Sequence, residues 1–281
     1  MTSAHAAEVE SRTVDVDGLP MHYLTAGRGE PLILLHGYAQ SAHMWRRAIP
    51  QLAKRFTVIA PDLPGFGDSG IPTEGSDVKN AAMRVHALAT KLGATKVRVV
   101  GHDIGLMVAY AYAAMYPDEV TKLVLMDAFL PGIGDWLATY HDPALWHFFF
   151  TGPTPEALVK GRERIYFDHY WNDFAADPQR SVSEADRRLY TAQFARPGRM
   201  RAGWQYFASF PRTAQDLAEL GKTKLTIPVL VISGEKAAGE RLAGQVRLVA
   251  DDVTSIVLKD TGHWVLDERP DEVLAALQRF L

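Results

Sequence analysis

Residues 97–115 combine a strand, a tight turn and a helix, and this unit limits what the rest of the chain can fold into. The run V-R-V-V at 97–100 is typical of a buried strand, and residues 106–115 have the composition of a helix. Between them lies G-H-D-I-G, in which Gly101 and Gly105 stand two residues either side of Asp103. This spacing predicts a turn so sharp that only small residues fit beside its tip. The strand therefore needs a sheet around it, and the helix must pack back onto that sheet.

Asp103 stands at the tip of this turn. A serine there would attack an acyl carbon, whereas a carboxylate that attacks a carbonyl gives a costly mixed anhydride. Attack by a carboxylate on a saturated carbon, in a strained epoxide or beside a halide, gives an alkyl ester that water can hydrolyse. The turn therefore predicts a carboxylate nucleophile; the other interpretation is an Asp that only caps the following helix.

Strand-like and helix-like segments alternate along most of the chain. Predicted strands are residues 13–16, 21–25, 31–35, 56–60, 97–100, 120–126, 228–233 and 254–258, and predicted helices are 44–54, 77–92, 106–115 and 271–281. From 128 to about 220 there are no strand-like runs, only helical stretches interrupted by prolines. This interrupted alternation predicts an α/β fold with a mostly parallel sheet and an inserted helical cap. The predicted core is 1–128 with 220–281, and the predicted cap is 129–219.

Composition argues against several classes of partner. The 281 residues carry a formal net charge of −3 and include no cysteine, so nucleic-acid binding, disulfides and Cys metal sites are not expected. No apolar run is long enough to span a bilayer, and residues 1–10 lack the features of a secretory signal, which predicts a cytoplasmic protein without membrane contact. The Gly-rich loop at 61–70 lacks G-K-[ST], so no nucleotide is expected, and the chemistry needs no metal or other cofactor.

Hydrolysis of an ester needs a general base, and His263 is the candidate. It lies in D-T-G-H-W, between the last predicted strand and the last predicted helix. Asp127 ends the strand that follows the nucleophile helix, and it is predicted to orient His263. In the loop after strand 228–233, the position where the orienting Asp is usual holds Ala237. Glu235 and Glu240 are the alternative acids if Asp127 does not orient His263.

Hydrogen-bond donors are expected around the nucleophile. The loop His36-Gly37-Tyr38, which follows strand 31–35, predicts an oxyanion hole made by the backbone N–H groups of Tyr38 and Ile104.

In the predicted cap, helical spacing places His169 on one face with Leu158, Gly161 and Ile165. The same spacing places Tyr206 on a face with Gly203 and Phe210. These faces would point both side chains into the cap–core interface, either to polarise an epoxide oxygen or as ordinary core residues. The stripe Trp146-His147-Phe148-Phe149-Phe150 is expected to form cap packing and pocket wall rather than to take part in the chemistry.

Taken together, these motifs resemble the aspartate-nucleophile α/β hydrolases, which comprise epoxide hydrolases and dehalogenases, and most of all the Cif-like epoxide hydrolases. The resemblance extends from about residue 31 to 264 and is carried by the segments 35–40, 53–67, 102–105, 146–148, 160–169, 204–207 and 262–264. It departs from the family pattern at Ala39, where Pro is common, and at Asp127, where these enzymes often have Glu.

The resemblance implies a nucleophile at Asp103, an orienting acid at Asp127, a base at His263 and an epoxide-opening pair at His169 and Tyr206. The expected substrate is a small-molecule epoxide, and a homodimer is expected by family analogy alone. Residues expected to line the substrate pocket are His36, His102, Trp146, His147, Phe148 and Trp264.

Two alternatives remain. A dehalogenase would use the same nucleophile, but haloalkane enzymes usually place Trp after it, where this chain has Ile104, and fluoroacetate enzymes place Arg residues there, which 104–107 lack. A non-catalytic ligand-binding homologue would usually lose one of Asp103, Asp127 and His263, and all three are present. A serine esterase is disfavoured because the tip residue has no hydroxyl.

Overall fold

Eight strands form the centre of the computed structural model, which describes residues 8–281. The strands are β1 (Glu10–Val16), β2 (Leu19–Ala26), β3 (Glu30–Leu35), β4 (Phe56–Pro61), β5 (Val97–His102), β6 (Val120–Met126), β7 (Val229–Gly234) and β8 (Val253–Leu258). They lie in the order β1-β2-β4-β3-β5-β6-β7-β8. The pairs β1–β2 and β2–β4 are antiparallel, and the pairs from β4 to β8 are parallel. The sheet confirms the predicted fold class. Residues 1–7 lie outside the described residues. They are the start of the predicted core and make up most of the segment 1–10, which is expected not to be a secretory signal.

Helices cover both faces of the sheet and fill the long insertion between β6 and β7. The helices are α1 (Ile49–Leu52), α2 (Val78–Lys91), α3 (Ile104–Met115), α4 (Trp136–Tyr140), α5 (Pro153–Val159), α6 (Glu163–Asp173), α7 (Glu184–Phe194), α8 (Arg199–Ala208), α9 (Phe210–Leu220), α10 (Gly239–Val249), α11 (Val265–Glu268) and α12 (Pro270–Phe280). Short 3₁₀ helices span Ala42–Arg47, Pro143–Phe149 and Pro178–Arg180.

Residues 44–54 do not form the single helix that was predicted. The structure has the 3₁₀ helix Ala42–Arg47 and then the short α1, which carries Pro50 in its first turn. Proline has no N–H to continue a preceding helix but is accepted at a helix start, so the chain begins a new helix there.

The central strands are buried on both faces, which explains their continuous apolar sequences. Along β5, Val97 and Val99 belong to the core cluster on one face of the sheet, while Val100 belongs to the cluster on the other. Helix α3 is buried along nearly its whole length, from Ile104 to Ala113. The turn between β5 and α3 is therefore held by packing on both of its sides.

The chain between Met126 and Val229 contains helices and, among the described residues, no strand of the sheet. Its helices do not form the continuous faces that the spacing predicted. Gly161, at φ +76°, separates α5 from α6, so a face followed through α5 does not continue into α6. Leu158 and Ile165 are 53% and 71% exposed, and the buried residues of α6 are Tyr166, Phe167, Tyr170 and Trp171.

Within residues 8–281, no helix combines the length and the apolar composition that crossing a bilayer requires.

Candidate active site

The turn between β5 and α3 holds Asp103 in a strained backbone conformation, with φ 55° and ψ −123°. A Cβ on Gly101 would lie 2.1 Å from the carbonyl oxygen of Gly105, and one on Gly105 would lie 2.5 Å from that of His36. A Cβ on Gly37 would lie 2.4 Å from Cβ of Asp103. These contacts explain why glycine is needed around the tip, and such strain persists only where the surrounding structure enforces it.

The carboxylate of Asp103 is shared between two sets of groups. Its Oδ1 accepts a hydrogen bond from the backbone N–H of Tyr38 at 2.6 Å. Its Oδ2 lies 3.6 Å from Nε2 of His263. Burial raises the pKa of Asp103, while His263 and the N–H groups of Tyr38 and Ile104 oppose that rise. One carboxylate oxygen therefore lies against the predicted oxyanion donors, and the other faces a histidine.

The β-sheet register places Asp127 beside Asp103, because Met126 of β6 pairs with His102 of β5. Asp127 is buried, its Oδ1 lies 2.9 Å from Nδ1 of His263, and its Oδ2 accepts the N–H of Gly234 at 2.6 Å. Burial lowers the pKa of His263, but the hydrogen bond and charge of Asp127, together with the charge of Asp103, raise it by more. The pKa of His263 is therefore raised above its ordinary value of 6.5.

The fallback acids do not approach His263 in this way. Glu235 is exposed and accepts the N–H of Asp260, and Glu240 is exposed at the first turn of α10. The geometry therefore favours Asp127 over both.

Glu268, which the sequence analysis missed, holds the loop that carries His263. Its carboxylate accepts the N–H groups of Gly262 at 3.0 Å and Trp264 at 3.3 Å, and that of Ala176 at 3.0 Å. Nothing in the local sequence pattern shows that Ala176 is adjacent. The buried glutamate thus joins the His263 loop to the end of α6.

A cavity of about 620 Å³ lies between this edge of the sheet and the helices of residues 129–219. Asp103 opens into it together with Asp127 and His263, and Asp135, Asp173 and Arg241 line it too. Aromatic side chains form much of its wall, namely Tyr38, Phe129, His147, Phe148, Tyr170, Phe174, Phe207 and Trp264.

Three residues expected to line the pocket do not border this cavity. His36 is buried and structural: its Nδ1–H donates to the carbonyl of Gly37, and its Nε2 accepts the N–H of Leu63. His102 donates from Nε2 to the carbonyl of His263, which supports the His263 loop. Trp146 is 40% exposed. By contrast, His147, Phe148 and Trp264 line the cavity.

The structure also corrects the placement of the pair expected to open the epoxide. Tyr206 is fully buried and donates its hydroxyl hydrogen to the carbonyl of Pro64 at 3.0 Å, outside the cavity lining. His169 lies behind the cavity wall, with Nδ1 2.7 Å from Asp173 and its ring 5.8 Å from that of His147. The helical spacing does not predict the position of His169, because the face followed through α5 and α6 is broken at Gly161. It does predict that Tyr206 packs against the core, where its ring lies 5.3 Å from that of Phe66.

His147 and Tyr170 are two of the polar side chains that the helical segment contributes to the cavity wall. Their rings lie 4.7 Å apart, and Asp103 and Tyr170 are close enough for the carboxylate charge to add to the rise in the pKa of Tyr170, most of which comes from burial. The sequence contains one signal for Tyr170. It lies on α6 with the aromatic residues Tyr166 and Phe167, and a cluster of large aromatic side chains indicates a buried face because these side chains bury the most area.

One group of potential metal ligands lies outside the cavity lining. Ligand atoms of His22, Asp62 and Asp68 lie within 4.8 Å of one another. Asp62 already accepts hydrogen bonds from the N–H groups of Ala42 and Asp68 and pairs with the His22 ring, and Asp68 pairs with Arg196. Protein partners therefore account for this cluster.

The chain is similar to known proteins in both sequence and structure. A model of the alpha/beta hydrolase fold matches residues 30–270. A soluble epoxide hydrolase of Corynebacterium sp. (strain C12) is 37% identical over 98% of both chains, and a fluoroacetate dehalogenase of Burkholderia sp is 27% identical over 97% of this chain and 93% of its own. The structure of the epoxide hydrolase CorEH is similar at a TM-score of 0.90, with 34% identity over 97% of this chain and 98% of its own. The Cif epoxide hydrolase from Acinetobacter nosocomialis matches at a TM-score of 0.89, with 26% identity over 99% of this chain and 90% of its own.

Proposed function

The chain belongs to the alpha/beta hydrolase fold family, and on that basis we propose that it is an epoxide hydrolase that works through an ester of Asp103. Membership agrees with the resemblance and fold predicted from the motifs. One observation carries the proposal: a carboxylate stands at the nucleophile position, with Oδ1 on the N–H of Tyr38 and Oδ2 3.6 Å from a histidine that Asp127 contacts. A carboxylate so placed can attack saturated carbon and be regenerated by a base-activated water.

In the first half-reaction, Oδ2 of Asp103 attacks a ring carbon and the carbon–oxygen bond of the epoxide breaks. Nε2 of His147 and the hydroxyl of Tyr170 donate hydrogen bonds to the oxygen that gains the negative charge. The helices of residues 129–219 act as the cap that carries these two donors above the nucleophile.

The hydrogen-bond network behind Tyr170 supports its role as a donor. The hydroxyl of Tyr166 receives hydrogen bonds from Nε1 of Trp204 at 2.8 Å and from the hydroxyl of Tyr38 at 3.4 Å. Its own hydrogen is then available for the hydroxyl of Tyr170, 2.6 Å away. Since a hydroxyl has one hydrogen and two lone pairs, Tyr170 can accept from Tyr166 and still donate into the cavity.

In the second half-reaction, His263 takes a proton from water, and the hydroxide attacks Cγ of the ester. Asp127 holds Nδ1–H of His263, so the free Nε2 serves as the base. The N–H groups of Tyr38 and Ile104 stabilise the negative charge that develops on Oδ1. The alkoxide of the product leaves and takes the proton from His263. The carboxyl of Asp103 gives up the remaining proton of the attacking water, which replaces the proton that the epoxide oxygen gained, so the carboxylate is restored and a vicinal diol leaves.

Mass spectrometry of variants tests this scheme. With styrene oxide, His263→Gln should accumulate an adduct of one substrate mass, whereas Asp103→Asn should form none. His86→Gln is the matched control, because His86 stacks on Tyr116 outside the cavity lining, and it should turn over like the unchanged protein. Absence of an adduct in His263→Gln, or its presence in Asp103→Asn, would refute the ester mechanism.

A dehalogenase is the second candidate, because a fluoroacetate dehalogenase is among the relatives and the same nucleophile would serve. Halide would then leave as an anion, and the donors of the cavity would bind it. Parallel assays with styrene oxide, an epoxy fatty acid, a 1-bromoalkane and fluoroacetate separate the two functions, because one releases diol and the other halide. We expect diol release to dominate.

A further inference from the structure

Two buried imidazole nitrogens above the cavity have no hydrogen-bond partner among the described residues, and they belong to neighbouring rings. They are Nδ1 of His147 and Nε2 of His169. The two ring centroids are 5.8 Å apart with an interplanar angle of 64°. At this separation one water can bridge the rings, and leaving both nitrogens without partners would be costly.

The outer end of this pair reaches solvent through an acid. Nδ1 of His169 lies 2.7 Å from Oδ2 of Asp173, one helical turn further along α6. The side chain of Asp173 is 62% exposed and also borders the cavity. The chain of groups Asp173, His169 and His147 therefore leads from solvent to the cavity wall.

His147 alone is a poor source of protons. Burial, together with His169 and His263, lowers the pKa of His147 to about 3, so the ring is neutral near pH 7. A neutral imidazole that gives up its only N–H becomes an anion unless its second nitrogen gains a proton at the same time. The second nitrogen here is Nδ1, which is buried and has no hydrogen-bond partner among the described residues.

We propose that Asp173 and His169 form a proton relay that resupplies His147 while the epoxide opens. This relay rests on the proposed function and adds two positioning residues, Asp173 and His169, that act through His147.

The proton balance is closed at each step. The epoxide oxygen takes the proton from Nε2 of His147 as its bond to carbon breaks. Nδ1 of His147 takes a proton from Nε2 of protonated His169, through one bridging water, so His147 stays neutral. His169 keeps its Nδ1–H on Asp173. After ester hydrolysis, the proton that the attacking water leaves on the carboxyl of Asp103 passes through a cavity water to Nε2 of His147. The Nδ1–H of His147 then passes back through the bridging water to Nε2 of His169, so both rings regain their starting state. Before substrate binds, Nδ1 of His147 accepts a hydrogen bond from the bridging water. The single hydrogen of the neutral ring is therefore on Nε2, which is the tautomer that can donate to the epoxide.

Single-turnover kinetics tests the relay, because it acts in ester formation and not in ester hydrolysis. Purified Asp173→Asn and His169→Gln would be mixed with styrene oxide, quenched at intervals, and the covalent ester followed by intact-mass spectrometry. We expect ester formation to slow about tenfold in Asp173→Asn and about a hundredfold in His169→Gln, with hydrolysis unchanged in both. The solvent deuterium isotope effect on ester formation should fall in both variants, which a loss of packing alone would not cause.

Asp251→Asn is the matched control, since it removes the same charge from an exposed carboxylate that pairs with Lys224 outside the cavity lining. It should leave both half-reactions unchanged. Ester formation at the unchanged rate in Asp173→Asn and His169→Gln, or equal slowing of both half-reactions, would overturn the relay. Failure of the unchanged protein to form any ester with epoxides would instead refute the proposed function.

Discussion

Tyr206 and Tyr170 offer a residue-scale test of which tyrosine serves the cavity. Tyr206→Phe removes a buried hydrogen bond to Pro64, so we expect the free energy of unfolding to fall by about 1–3 kcal/mol with kcat/KM unchanged. Tyr170→Phe removes a donor to the opening epoxide, so kcat/KM should fall about a hundredfold. Urea unfolding and diol assays of both variants measure this. A loss of activity confined to Tyr206→Phe would restore the assignment made from sequence.

Asp127 sets both the orientation and the pKa of His263, so its replacement should change the pH profile. In the proposed scheme His263 must be neutral to act as base, so ester hydrolysis should fall as the pH drops through its pKa. Burial lowers that pKa, whereas Asp127 and Glu268 raise it in the ester, where Asp103 no longer carries a charge. In Asp127→Asn the pKa loses its largest raising contribution, so the midpoint should move to lower pH. The plateau rate should fall by about 10³ to 10⁴-fold, because the tautomer is no longer held.

Single-turnover hydrolysis rates between about pH 5 and pH 9, the range in which histidine titrates, provide the measurement. Glu235→Gln serves as the control, since its carboxylate is exposed and bonds the N–H of Asp260. A midpoint that stays in place in Asp127→Asn, or moves up, would show that Asp127 does not determine the titration of His263.

At the scale of elements, helix α6 has a buried aromatic face and an exposed apolar residue, which the sequence pattern did not distinguish. Phe167 is fully buried, whereas Ile165 is 71% exposed. Phe167→Ala should lower the free energy of unfolding by about 3–5 kcal/mol, because it leaves a cavity in packed aromatic side chains. Ile165→Ala should change it by less than about 0.5 kcal/mol. Urea denaturation gives both values, and comparable losses in the two variants would mean that Ile165 is also covered.

The same comparison shows what the sequence can and cannot predict. The strands and the turn at Asp103 are predictable because their signals are local: apolar runs between turn residues, and glycines where a Cβ would meet backbone. Asp127 could be inferred because parallel strands end at one edge of the sheet. The placements of His169 and Tyr206 could not, because the phase of a helical face is lost at Gly161, and hydrogen bonds such as Tyr206 to Pro64 join segments distant in sequence.

At the scale of the whole molecule, the core and the helical segment meet directly at the loop that carries His263. His263 donates its backbone N–H to the carbonyl of Phe174 at 2.8 Å, and a Cβ on Gly262 would lie 2.4 Å from the nitrogen of Ala176. Glu268 bonds both sides of this junction. The position of His263 therefore depends on the segment that follows α6, the helix that carries Tyr170, His169 and Asp173.

Glu268→Gln tests that dependence, because an amide cannot accept all three N–H groups and places an NH₂ group against one of them. We expect the free energy of unfolding to fall by about 1–3 kcal/mol and ester hydrolysis to slow about tenfold, with ester formation little changed. Amide exchange should quicken together at Gly262 and Ala176, on either side of the junction. Glu272→Gln, which alters an exposed pair with Arg269, should do none of this. Faster exchange on one side alone, or equal slowing of both half-reactions, would mean that Glu268 supports the loop without coupling it to the helical segment.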